Sequence, residues 1–209
     1  MKPKLYFTSD WHIGHFNCLA LDGRPFKDLD HMNEMLIKNF NFLVPHHGIT
    51  YFLGDMGFSK SGLLKKVITR LNGKKILIPG NHDDKGMYAY YDAGFDFVTD
   101  KAQIVIGKSI ITMSHCPLKG IYREDTTGMA NALPGENWHR ETKHSNRYAM
   151  DDFGQFHLHG HIHSPNGGRS KRILDRQMDV GVVCNGYKPV SISTVESFVA
   201  KYNNNNGGR

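Results

Sequence analysis

Five histidines, three aspartates and one asparagine fall into five short polar motifs along this chain. They are Asp10-Trp11-His12, Gly54-Asp55, Gly80-Asn81-His82-Asp83, His115 and Gly160-His161-Ile162-His163. Carboxylate oxygens and imidazole nitrogens suit borderline divalent cations such as Mn, Fe, Ni, Co or Zn, whereas soft thiolate sites need cysteine. The three cysteines, Cys18, Cys116 and Cys184, form no C-x-x-C pair, so a zinc finger or a disulfide framework is poorly supported. A G-x-S-x-G elbow and a G-x-x-x-x-G-K-[ST] loop are both absent from the sequence, which weakens acyl transfer and P-loop chemistry. Metal-assisted hydrolysis is the chemistry these residue types fit best.

The elements that must position them can be read from the flanking residues. Leu5-Tyr6-Phe7, Tyr51-Phe52-Leu53, Ile76-Leu77-Ile78, Ile110-Ile111-Thr112-Met113 and Phe156-His157-Leu158 each precede one motif and read as strands. The polar residues would then emerge at strand ends, where open α/β sheets present their ligands. Each motif alone has a simpler reading. Asp10 could cap a turn, Gly54-Asp55 could be a strand-to-loop junction, Gly80–Asp83 could be a tight turn, and His161 and His163 could be satisfied polar groups at a sheet edge. Their succession after consecutive strands argues for one site.

Leu29, Met32, Leu36, Phe40 and Leu43 recur at helical spacing behind Asp28, an N-cap residue, and predict a helix. Leu63, Leu64, Val67, Ile68 and Leu71, closed by Asn72-Gly73, predict another. A last helix is expected from Ser193 or Thr194, carrying Val195, Phe198 and Val199. Strands alternating with helices imply parallel pairing, and the strand-rich later half implies a second sheet.

The ordered series D-x-H, G-D, G-N-H-D, H and G-H-x-H resembles the calcineurin-like metallophosphoesterase superfamily, in particular its small bacterial and phage members. The match runs from Asp10 to His163, about three quarters of the chain. The stretch Gly181–Val190 is similar to the last strands of those small members. The resemblance implies a four-layer α/β/β/α sandwich with two mixed sheets. It also implies two divalent ions, manganese first, with Fe, Ni, Co or Zn as alternatives. Carried over residue by residue, Asp10, His12 and His163 would hold the first ion, Asn81, His115 and His161 the second, and Asp55 would bridge them. Two divalent charges at the roughly 3.5–4 Å spacing of two-metal sites need such an anion between them. The resemblance gives His82 the task of binding phosphate and protonating the leaving group. Asp83 would orient it, or would simply close the turn.

The implied reaction is hydrolysis of a phosphodiester or phosphomonoester by metal-activated water, with a nucleotide or nucleic-acid phosphodiester ahead of a small-molecule or protein phosphomonoester. A catalytically silent metal-binding scaffold is the reading from a different class. A net charge of +6 and a pI near 9.2 favour anionic partners, although the excess is spread over several short clusters. The long connections at residues 13–27 and 116–152 are the expected sources of substrate contacts. Arg24, Arg123, His139, Arg140 and Arg147 are the candidates, and a solvated surface insertion is the alternative for the second connection. His157 and His159 are expected to pack or to support the ligands, and His31, His46 and His47 to lie on the surface.

At 209 residues and 39% hydrophobic content, one globular domain over residues 1–202 is expected, with residues 203–209 a low-complexity, disordered tail. The start Met1-Lys2-Pro3-Lys4 carries no apolar leader and no run of about 18 apolar residues occurs, so neither export nor membrane insertion is expected. Three unpaired cysteines agree with a reducing cytoplasm. Oligomeric state is not legible.

Overall fold

The computed structural model describes residues 4–57, 62–83, 86–119, 147–163 and 176–206. Strands β1 (Leu5–Thr8), β2 (Ile49–Phe52), β3 (Lys74–Leu77) and β4 (Phe97–Val98) alternate with helices α1 (Cys18–Leu21), α2 (Leu29–Leu43), α3 (Leu63–Ile68) and α4 (Met87–Ala93). Helical crossovers return each strand in the same direction, so these four pair in parallel. Strand β9 (Val190–Ser191) joins them antiparallel beside β1, giving the order β4-β3-β2-β1-β9. A second sheet runs β5 (Ala102–Ile106), β6 (Ser109–Met113), β7 (Phe156–His159) and β8 (Gln177–Asp179). Its first pair is antiparallel and the rest parallel. The fold is therefore the expected α/β sandwich of two mixed sheets.

Alternation along the strands assigns the core. Tyr6, Phe52, Leu77 and Val98 face the helices, where they meet Met32, Leu36 and Phe40 of α2 and Leu64, Val67 and Ile68 of α3. On the opposite face Phe7, Leu53 and Ile78 pack against Ile111, Met113 and Leu158 of the second sheet. Both faces of the first sheet are thus buried, which holds the ends of β1, β2 and β3 rigid.

The predicted helices form with adjusted ends. Asp28 caps α2 by accepting from the His31 backbone N–H at 2.8 Å, and His31, His46 and His47 are exposed. Helix α3 closes at Ile68, and Gly73 takes the left-handed turn into β3 at φ +71°. The final helix, α5 (Ile192–Asn206), differs from expectation at both ends. It starts one or two residues early and continues through Asn203–Asn206, four residues into the expected disordered tail. Val195 and Val199 anchor it in the inter-sheet core, and extending an anchored helix by residues of modest propensity costs little. Residues 207–209 lie outside the described residues. No helix among the described residues is long and apolar enough to cross a membrane.

His157, on β7, is fully buried, with Nδ1 2.8 Å from Thr112 Oγ1 and Nε2 3.1 Å from both Ser114 Oγ and the Cys116 carbonyl. Burial, and after it the neighbouring His159, push its pKa down to about 3. The unfolded chain therefore binds a proton at His157 that the folded chain refuses between pH 6.5 and about 3. Its contribution to stability is complete above pH 6.5 and is lost on acidification, at up to about 1.4 kcal/mol per pH unit. Denaturant unfolding of wild type and His157→Asn across this range should show the wild type with the steeper acid loss. Parallel slopes would mean that His157 is charged in the fold.

Candidate metal centre

All seven candidate donors lie within four residues of the carboxyl end of a strand. Backbone pairing continues past those ends and joins the two sheets. Asp10 N donates to Gly54 O at 3.0 Å, His12 N to Asp55 O at 3.0 Å, Val182 N to Ser9 O at 3.0 Å and Gly160 N to His115 O at 2.8 Å. Five of the donors adopt left-handed backbone, with φ of 60° at Asp10, 52° at His12, 53° at Asp55, 73° at His161 and 44° at His163. Among the described residues Tyr187 is the only other non-glycine residue with positive φ. Each such residue costs about 1–3 kcal/mol and persists only where its surroundings over-determine it.

Two glycines allow the close approach of the motifs. A Cβ at Gly80 would collide with the Asp55 carboxylate, and one at Gly160 would collide with Ser9 Oγ and the Asp10 carboxylate. The glycines that open the G-N-H-D and G-H-x-H motifs are thus demanded by contact with the first two motifs.

The donor atoms form two groups. In the first, His163 Nε2 lies 3.1 Å from His12 Nε2 and 3.3 Å from Asp10 Oδ1. Asp10, His12, Asp55 and His163 each place a donor atom within 4.8 Å of the others. In the second, Asn81 Oδ1 lies 3.0 Å from both His115 Nε2 and His161 Nδ1, which are 3.3 Å apart. Asp55 Oδ2 touches both groups, at 3.8 Å from His12 Nε2 and 3.4 Å from His115 Nε2. Bonds of about 2.1 Å to a divalent ion give tetrahedral or octahedral edges of about 3.0–3.4 Å. The spacings of 3.1 and 3.3 Å in the first group and of 3.0–3.4 Å in the second match those edges, while the 3.8 Å from Asp55 to His12 is longer, and the residues present fit divalent cations. Buried Cys116 also lies within 4.8 Å of His115 and His161 donor atoms, a neighbour the sequence reasoning did not include.

The cluster balances its own charge. Burial works to raise the Asp10 and Asp55 carboxyls, but His163 beside Asp10 and His115 beside Asp55 hold both well below the usual carboxylate range. Burial pushes His12 and His161 down to about 3. It opposes charge on His115 and His163 as well, yet the adjacent carboxylates outweigh it and raise them to about 9 and about 10. A cation must displace those two protons, so metal affinity should rise with pH. Uptake at pH 7 should release close to two protons, measurable by calorimetry in buffers of different ionisation enthalpy; uptake without proton release would contradict this charge assignment.

His82 stands apart from the buried donors. Its side chain is 41% exposed, its Nε2 lies 4.0 Å from Asp55 Oδ2, and its backbone N–H donates to Asp55 Oδ1 at 3.0 Å. The Asp83 carboxylate accepts from the backbone N–H groups of Asp55 at 2.7 Å, Gly80 at 2.9 Å and Met56 at 3.1 Å. Asp83 thereby fastens the G-D and G-N-H-D turns to each other, the turn-closing alternative.

Arg24 is also placed differently from the expected substrate contact. Its guanidinium is buried, bonded to Asp22 and to the carbonyls of Asp10 and Trp11. Asp22, which the sequence reasoning missed, lies 2.8 Å from His163 Nδ1. Nothing in an isolated aspartate on a connection marks it; its spacing from Arg24 was the one available cue. Arg147 lines a cleft of about 270 Å³ with Pro79, Asp83, Met87 and Tyr148, on the flank of the G-N-H-D turn. Arg123, His139 and Arg140 lie outside the described residues. His159 is fully buried behind the site, with Nδ1 2.9 Å from the Gly160 carbonyl.

No protein-family profile matches the chain. The uncharacterized protein MJ1445 of Methanocaldococcus jannaschii is 42% identical over 85 residues, 40% of this chain and 48% of that protein, so the match spans about half the relative's length. The Gene 66 protein of Mycobacterium phage L5 is 29% identical over 192 residues, 85% of each chain. Among solved structures, AQ665 from Aquifex aeolicus, a protein of unknown function, matches with a TM-score of 0.65 and 24% identity. That match covers 94% of this chain and 99% of the other, so the two share a fold over nearly their whole lengths.

Proposed function

We propose that this chain is a binuclear metal-dependent phosphoesterase, acting first on nucleotide or nucleic-acid phosphodiesters and second on phosphomonoesters. The observation that carries the reading is the position of Asp55, whose one carboxylate belongs to both donor groups. Two divalent ions, manganese first, would supply charge stabilisation to the phosphoryl oxygens and acidity to a water nucleophile. Asp10, His12 and His163 hold one side, and Asn81, His115 and His161 the other. Left-handed backbone at Asp10, His12, Asp55, His161 and His163 directs these side chains inward before any ion arrives.

His82 has the remaining task. Its imidazole is the exposed one beside Asp55, placed where a ring N–H can meet a substrate oxygen. It protonates the leaving oxygen, and in-line attack by water gives inversion at phosphorus. The net charge of +6 draws anionic substrates toward the site.

Metal-stripped protein should hydrolyse neither bis-p-nitrophenyl phosphate nor p-nitrophenyl phosphate, and Mn should restore activity, with the diester the better substrate. A panel of cyclic nucleotides, 2',3'-cyclic phosphates, single-stranded nucleic acid and phosphoproteins then locates the substrate class. Failure of Mn, Ni, Co, Fe and Zn alike to support hydrolysis of any of these would leave a metal-binding scaffold instead.

A further inference from the structure

Asp22 and Arg24 follow α1 on a connection that supplies no metal donor of its own, yet they contact two donors of the first group, His163 and Asp10, and the Trp11 carbonyl that precedes the third, His12. Asp22 Oδ1 lies 2.8 Å from His163 Nδ1. Occupying that nitrogen with a carboxylate fixes one proton there and holds Nε2 toward His12 and Asp10, so that Nε2 is the nitrogen a cation would take. Arg24 then fixes Asp22, donating from Nε and Nη2 to Asp22 Oδ2 at 2.9 and 2.8 Å.

The same guanidinium donates from Nη2 to the Asp10 carbonyl and from Nη1 to the Trp11 carbonyl, each at 3.0 Å. Those carbonyls belong to the turn in which Asp10 and His12 adopt left-handed backbone. One planar group therefore ties the support of His163 to the turn that carries Asp10 and His12. A lysine ammonium lacks the fixed fork needed to span these acceptors. The Arg24 charge also offsets that of Asp22, so His163 is oriented without adding net negative charge to the site.

We propose that Asp22 and Arg24 are positioning residues that set the divalent-cation affinity of the Asp10, His12 and His163 group selectively. Among the described residues neither side chain bonds Asn81, His115 or His161, so the second group is not under their control. The inference rests on the metal-binding reading above.

The test is titration of the metal-stripped full chain with Mn²⁺, following free Mn²⁺ by electron paramagnetic resonance. Wild type should take up two equivalents. Asp22→Ala should weaken one equivalent by about 10–100-fold and leave the other unchanged. Asp22→Asn, which preserves the shape and an acceptor oxygen, should produce a smaller shift of the same equivalent, and Arg24→Lys should likewise act on that equivalent alone. Two unaltered equivalents in Asp22→Ala, or equal weakening of both in the shape-preserving Asp22→Asn, would overturn the proposal while leaving the metal reading in place. A wild type that binds no Mn²⁺ would overturn the metal reading and this inference with it.

Discussion

Replacing His82 by alanine should lower turnover of a phosphodiester about 100- to 10,000-fold and leave the metal content unchanged. The backbone N–H that His82 donates to Asp55 survives the substitution, so Asp55 keeps that partner. What disappears is an imidazole that is 41% exposed, while the donors around it are largely buried. The loss should depend on the leaving group. p-Nitrophenolate departs without a proton and should show the smaller defect, whereas a nucleoside alkoxide needs one and should show the larger. Turnover on both ester types, measured beside bound metal by mass spectrometry, checks this. Parallel loss of metal would make His82 a ligand rather than a proton donor.

Replacing Asp55 by alanine should be more damaging, because two donor groups lose their shared carboxylate at once. His115 and His12 lose their nearest anion at 3.4 and 3.8 Å, and the His82 backbone loses its acceptor. The affinity loss should exceed the roughly 10–100-fold typical of changes that only touch a group supporting a ligand. Hydrolysis should fall to background at micromolar metal. Equilibrium dialysis should find fewer than two ions per chain, and retention of two tightly held ions would show that Asp55 does not join the groups.

Much of this was legible because strand patterning and donor chemistry point the same way. Apolar runs before Asp10, Asp55, Asn81 and His115 became β1, β2, β3 and β6, and Asp28 capped α2. The two sheets followed from element order, since helical crossovers enforce parallel pairing. Other features depend on contacts that have no local signature. Asp83 looks like a partner for adjacent His82, yet folding brings its carboxylate against the backbone of Asp55, 28 residues away. Arg24 reads as a loop cation able to meet phosphate, but Asp22 and two carbonyls consume its donors below the site. Left-handed backbone at five non-glycine donors is likewise invisible to propensity, because tertiary pairing imposes it. The tail from Asn203 to Arg209 read as disordered, whereas Val195 and Val199 carry the helix through Asn206.

Anomalous diffraction from crystals of the Mn-loaded protein, collected at the manganese edge, is the most direct test of the shared-carboxylate centre. The arrangement predicts two peaks about 3.5–4 Å apart, one beside Asp10, His12 and His163, the other beside Asn81, His115 and His161, with Asp55 oxygen atoms on both. A single peak, or two peaks that Asp55 does not bridge, would contradict it.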